Sequence, residues 1–236
     1  MAFRFSYSLV LMGIGASALW AQDDGQVAAS PQRPSFSVNT TTTTKGWLEF
    51  EGGATFEDKS SATPVLFKIG ATENLELFFG LTPIVDSGKD FEDLTVGSRW
   101  RFTGDGQSPS LGAQVAVTTF RSNFAAEIDY SFLFILSHSI HGVGIDLNGG
   151  LNLPDSGDEQ VFGILTLSKA VNSKFGVYGE VFAENSNDML VGSIGCSFSA
   201  TPRFVLDGAF NFNISNSDLD KQFLIGATTT LARIWK

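Results

Sequence analysis

From Gly46 to the C-terminus the chain alternates apolar and polar residues with a period of two. Leu94, Val96, Ser98, Trp100 and Phe102 interleave with Thr95, Gly97, Arg99, Arg101 and Thr103. Leu75, Leu77, Phe79 and Leu81 interleave with Glu76, Phe78 and Gly80, and Ile128, Tyr130, Phe132 and Phe134 with Glu127, Asp129, Ser131 and Leu133. Successive side chains of an extended strand point to opposite faces, so each segment reads as a strand with one apolar and one mostly polar face. The pattern predicts about twelve strands, at 46–56, 63–71, 75–82, 94–103, 110–118, 124–136, 141–152, 160–169, 175–184, 188–198, 204–214 and 222–235. Of these, 160–169 alternates least cleanly. Pro64 opens a strand, Pro83 follows one, and Pro31, Pro34, Pro109, Pro154 and Pro202 lie in connections. No proline therefore interrupts a hydrogen-bonded ladder.

Alternation alone does not say which face meets what. In a soluble β-protein the apolar face is the core; in a membrane barrel it meets lipid and the polar face lines the lumen. The polar face here consists of Gly, Ser, Thr and Asn with scattered carboxylates, whereas a water-facing exterior carries more Lys and Glu. Charged residues make up 17% of the chain, against about 25% in ordinary soluble domains. Connections at 72–74, 137–140, 170–174 and 199–203 are short, and those at 83–93, 153–159 and 215–221 are longer. Short periplasmic turns and longer outer loops are a barrel pattern; the connection at 104–109 departs from it. Trp100, Phe102, Phe175, Phe198, Phe204 and Trp235 gather on the apolar face at the turn end, as an interfacial girdle does. The last strand is amphipathic and ends in Trp235-Lys236.

A magnitude decides the sidedness. With the polar face in lipid, Arg99 would lie near the midplane at a cost of about 2–4 kcal/mol, before Glu127, Asp129 and Asp146 are counted. An open-edged sheet is not tolerated in hydrocarbon, so the strands must close. The expectation is an all-β fold, a closed antiparallel up-and-down transmembrane β-barrel of about twelve strands, in the bacterial outer membrane.

The chain divides into three parts. Residues 1–21 read as a secretory signal peptide, with Arg4, an apolar stretch from Leu9 to Ala16 and small residues before a cleavage point. Residues 22–45 form an irregular N-terminal lead-in holding Pro31, Pro34 and the run Thr40–Thr44, which can add a strand or lie extended. Residues 46–236 form the barrel. Beyond the N-terminus no apolar run approaches the ~18–20 residues of a spanning helix. A single cysteine, Cys196, excludes a disulfide scaffold, and a net charge of −10 argues against nucleic acid as a partner.

On this assignment the lumen carries Glu49, Glu51, Glu76, Glu127, Glu180, Glu184, Asp129, Asp146 and Asp207 against Lys68, Arg99 and Arg101. Two readings follow: a hydrated, ion-paired network filling a narrow bore, or an acidic constriction with mild cation preference. Lys68, Glu76, Arg99, Arg101, Glu127, Asp129, Asp146, Glu180 and Asp207 are the candidate lumen-lining residues. Gly97, Gly112, Gly142, Gly144, Gly176 and Gly195 also point inward, allowing tight packing or free space. His138 and His141 read as turn residues, because no carboxylate or cysteine nearby completes a metal site. With two histidines in the chain, nothing makes a hydrolytic triad. No enzyme activity, cofactor or metal is expected.

Several segments carry a resemblance. They are Thr72-Glu73-Asn74-Leu75-Glu76-Leu77, Asp93-Leu94-Thr95-Val96-Gly97-Ser98-Arg99-Trp100-Arg101-Phe102, Val177-Tyr178-Gly179-Glu180-Val181 and Thr201-Pro202-Arg203-Phe204-Val205-Leu206-Asp207. In this order, across 46–236, the chain resembles the outer-membrane phenol-degradation meta-pathway transporter family. The resemblance implies a barrel that passes small, often aromatic or hydrophobic compounds, with outer-membrane lipid and small solutes as partners and no catalytic residues. Two rival expectations stand beside it: a plugged structural or surface-interaction barrel, and a soluble periplasmic barrel binding an apolar ligand.

Overall fold

The computed structural model describes residues 27–236 except 59, 87–88, 105, 123–124, 186–187, 216–220 and 236. The predicted signal peptide and residues 22–26 lie outside the described residues. The strands are β1 (Trp47–Phe56), β2 (Ser60–Ala62), β3 (Val65–Gly70), β4 (Leu75–Asp86), β5 (Lys89–Arg101), β6 (Ser110–Ser122), β7 (Ala125–Ile140), β8 (Val143–Leu153), β9 (Gln160–Ala170), β10 (Phe175–Glu184), β11 (Met189–Thr201), β12 (Phe204–Asn213) and β13 (Gln222–Arg233). Except for β2 and β3, which do not pair with each other, each strand pairs antiparallel with its chain neighbours, and β13 returns to pair with β1 from Trp47↔Arg233 to Phe56↔Phe223. The sheet therefore closes. β2 and β3 both bridge β1 and β4, so together they fill one stave, and the barrel has twelve.

Two expectations about strand ends are corrected. The span 83–93 is not a loop: β4 and β5 continue through it, pairing up to Asp86↔Lys89. Pro83 thus lies inside β4. It is tolerated because the neighbouring stave breaks beside it: β3 begins at Val65↔Leu81, β2 ends at Ala62↔Ile84, and Thr63 N–H donates to the Pro83 carbonyl. A missing N–H costs little where no ladder partner waits for it. Likewise β7 runs to Ile140, so His138 is a strand residue, and the turn is His141-Gly142 alone, both at positive φ (50° and 77°). Gly142 belongs to that tight hairpin turn rather than to the inner wall.

The apolar positions face outward. Leu77, Phe79, Val96, Phe132, Phe134 and Leu147 are exposed, while their neighbours Glu76, Thr95, Asn148 and Asp146 are buried. Of the predicted girdle, Trp100, Phe102, Phe198 and Trp235 are exposed and Phe175 and Phe204 are half-buried, all at the strand ends near the short turns. An apolar band running round the whole barrel suits hydrocarbon, not water, and removes the soluble reading.

The inner face is less uniformly polar than the alternation implies. Phe162 and Ile164 of β9 point inward with Leu133 and Ile135 of β7, Phe182 of β10 and Val191 of β11, forming an apolar basin. This is why 160–169 alternates poorly: Val161 and Leu165 are apolar on the outside while Phe162 and Ile164 are apolar within. Some inward glycines are sites of close approach. A Cβ on Gly97 would lie 2.2 Å from Phe78 Cζ and one on Gly195 2.3 Å from Tyr178 Cε1, each ring belonging to the residue's cross-strand partner. The rings lie over wall positions that have no side chain.

Candidate functional site: a bore occupied by the N-terminal segment

Residues 27–45 do not add a strand to the wall. They enter the barrel at the short-turn end, where Ala29 N–H donates to the Pro202 carbonyl between β11 and β12. The chain climbs to Arg33, whose guanidinium reaches the Pro64 carbonyl at the far end of β3, passes Glu180 and Asn148, and returns to the turn end. There Thr42 Oγ1 donates to the Glu73 carbonyl and Lys45 bridges Gly70. The segment is tied off by a turn in which Trp47 N–H donates to Thr44 and Ile234 N–H to the Gly46 carbonyl. Gly46 is required at that turn: its φ is +76°, and a Cβ there would stand 2.4 Å from the Trp235 carbonyl oxygen. Val38 and Ser37 are completely buried, and Ser35, Thr43 and Gln32 nearly so.

What holds the segment is the set of inward carboxylates. A chain without a ladder of its own must find partners for its N–H groups elsewhere. Glu49 Oε2 accepts Ser30 N–H at 2.7 Å, and Glu51 Oε1 accepts Gln32 N–H at 2.7 Å. Glu76 Oε1 accepts Gln32 Nε2 and Arg99 NH2, and its Oε2 accepts the N–H and the hydroxyl of Thr43, each at 2.7 Å. Lys68, wholly buried, stands between Glu49, at 2.5 Å, and Glu51, and also donates to the Ser30 carbonyl. Arg99 NH1 donates to the Asn39 carbonyl at 3.3 Å. Across the bore, Glu180 Oε1 accepts Phe36 N–H at 2.6 Å, while its Oε2 accepts Ser37 N–H at 2.8 Å, Ser35 Oγ at 2.8 Å and Thr166 Oγ1 at 2.6 Å. Charge-assisted bonds of this kind are shorter and stronger than neutral ones.

The nine predicted lumen residues thus fall into groups. Lys68, Glu76, Arg99 and Glu180 meet around the inserted segment. Arg101 donates to the Glu73 carbonyl and Asn74 Oδ1, fixing the turn before β4. Asp146 and Asp207 are buried on the inner wall, Asp207 near Arg33 of the segment. Asp129 and the half-buried Glu127 lie in the opposite half of the barrel, where Asp129 Oδ1 accepts Asp155 N–H. Residues that the sequence pattern did not single out are Arg33, Asn148 and Asp93; Asp93 is fully buried in β5, which the pattern began one residue later. His138 Nδ1 lies 2.7 Å from Ser108 Oγ on the exposed exterior.

Fold and site together define a class: a closed, lipid-facing β-barrel whose bore is entered by its own N-terminal segment. No protein-family model matches the sequence, and no curated protein matches it either. Solved structures do resemble it. The COG4313 outer membrane channel from Pseudomonas putida F1 superposes with a TM-score of 0.66 at 11% identity, covering 89% of this chain and 99% of that one. The KdgM porin in complex with disordered oligogalacturonate gives 0.64 at 6% identity, covering 78% and 99%. The NanC porin gives 0.55 at 11% identity, covering 78% and all of that chain. At these identities the likeness is one of fold, the outer-membrane β-barrel.

Proposed function

We propose that this chain is a bacterial outer-membrane channel through which small solutes diffuse down their gradients, with residues 27–45 as its stopper. The observation that carries the reading is that the bore is filled by the segment preceding β1, gripped through its backbone N–H groups by wall side chains rather than built into the ladder of the wall. A stopper of that kind can leave without unfolding the ladder. Passage down a gradient needs a lined path and no cofactor. Residues 1–21 supply the export signal, and lipid surrounds the apolar belt.

The cargo we assign is small, apolar or aromatic compounds. The apolar basin of Phe162, Ile164 and Phe182 supports this, since a purely polar bore would offer such solutes nothing. The sequence resemblance to phenol meta-pathway transporters points the same way. With the stopper withdrawn, Glu49, Glu51, Glu76 and Glu180 lose their N–H partners, and the lumen prefers cations over anions.

The second reading is a barrel that stays plugged and serves as a structural or surface-interaction protein. It is favoured by the number of wall residues that grip the segment. Planar-bilayer recording separates the two. In the full-length chain carrying Phe36→Asp and Val38→Asp, each new carboxylate would stand in the apolar basin beside Glu180, displacing residues 35–38. The channel reading expects a clear rise in conductance over wild type, with cation selectivity. A folded double variant that stays silent, together with no solute flux in liposome swelling, refutes it.

A further inference from the structure

The wall facing residues 35–40 grips the backbone of a chain that bends at Pro34–Phe36. Glu180 accepts two successive backbone N–H groups, those of Phe36 and Ser37. Asn148 takes both polar groups of Val38, accepting its N–H at 2.6 Å and donating Nδ2 to its carbonyl at 2.9 Å. Ser137 Oγ accepts Thr40 N–H at 3.1 Å. Alternate side chains go to different surroundings. Phe36 packs on Phe182, ring centroids 5.3 Å apart, and Val38 enters the same basin, while Ser37 Oγ lies 2.6 Å from Thr166 Oγ1. Main-chain bonds give affinity and the differing side-chain surroundings give specificity.

We infer that this wall is a binding site for short apolar peptides that bend to present successive N–H groups to one carboxylate, and that residues 35–38 are its resident pseudo-ligand. The inference rests on the channel reading for access and goes beyond it: small apolar solutes can pass the basin without being held, whereas a retained ligand must partner Glu180 and Asn148. The chemistry is directional. Glu180 and Asn148 Oδ1 are acceptors, so an apolar hydrocarbon that fills the basin but lacks N–H groups leaves them unpartnered. An acidic oligosaccharide such as the oligogalacturonate named with KdgM would set its carboxylates against Glu180, Asp146 and Asp207, all buried on the inner wall.

The test uses the full-length chain with Phe36→Asp and Val38→Asp, in detergent micelles, and a C-amidated tetrapeptide with the sequence of residues 35–38, N-dansylated as the probe and N-acetylated as the unlabelled competitor. Fluorescence anisotropy should show at least tenfold tighter binding than to wild type. Adding Asn148→Ala or Glu180→Gln should weaken it tenfold or more, in variants whose heat-modifiable gel migration shows a closed barrel. Unlabelled peptide should compete; toluene and digalacturonate should not. Equal binding to wild type and double variant, no binding, indifference to Asn148→Ala, or equal competition by toluene overturns the site. Conductance of the same double variant is read separately. Conductance without peptide binding overturns the peptide site alone, and peptide binding without conductance overturns the channel reading alone.

Discussion

Glu180 is the point where loosening the stopper should be easiest to measure. Its carboxylate receives three hydrogen bonds from the inserted segment, at 2.6, 2.8 and 2.8 Å, and one from Thr166 in the wall. A bond to an ionised group contributes about 1.5–3 kcal/mol when its partner would otherwise go unpaired. In Glu180→Ala the released N–H groups can be taken up by water entering the space, so three bonds do not count in full. About 3 kcal/mol of lost retention is a reasonable expectation, or roughly a hundredfold more of the unseated state at 1.4 kcal/mol per tenfold. Amide hydrogen exchange read by mass spectrometry reports that population directly, with the β10 and β11 amides as an internal standard. The amides of Phe36, Ser37 and Val38 should exchange about a hundredfold faster, while the strand amides keep their protection. Glu180→Gln, which keeps one acceptor oxygen, should fall between. Unchanged exchange at Phe36 and Ser37 in a folded Glu180→Ala barrel would show that Glu180 does not latch the segment.

Other expectations follow from the same contacts. Lys68→Met removes the cation between Glu49 and Glu51 and should cost about 3–5 kcal/mol in urea unfolding, the range for breaking a buried pair; a loss below about 1 kcal/mol would contradict the burial argument. Gly97→Val drives a side chain into Phe78 and should cost about 1–3 kcal/mol by the same measurement. Val96→Arg puts a charge on the lipid face of mid-β5 and should cost about 2–4 kcal/mol in reversible folding into vesicles.

The staves were readable because lipid outside and carboxylates inside impose opposite chemistry on alternate residues of β5, β7 and β12. Where the inner wall turns apolar, at Phe162 and Ile164, the period fades, and only the position of the strand between its neighbours fixes it. The inserted segment left no such trace. It is held through backbone N–H groups, which every residue but proline carries, so Ser30, Gln32 and Thr43 look like ordinary loop residues. A signal did exist: nine inward acids against three inward bases is more acceptor than the wall can satisfy from its own side chains. Donors had to come from elsewhere, and the lead-in was the nearest chain able to supply them.

The order of these grips along the chain bears on how the molecule is made. Residues 30, 32 and 43 are held by Glu49, Glu51 and Glu76, on β1 and β4, the staves that follow the segment directly. Glu180 and Asn148 lie far further along the sequence, and the seam between β13 and β1 needs the last strand. The most acidic patch of the interior can therefore acquire its counterparts within the first third of the polypeptide.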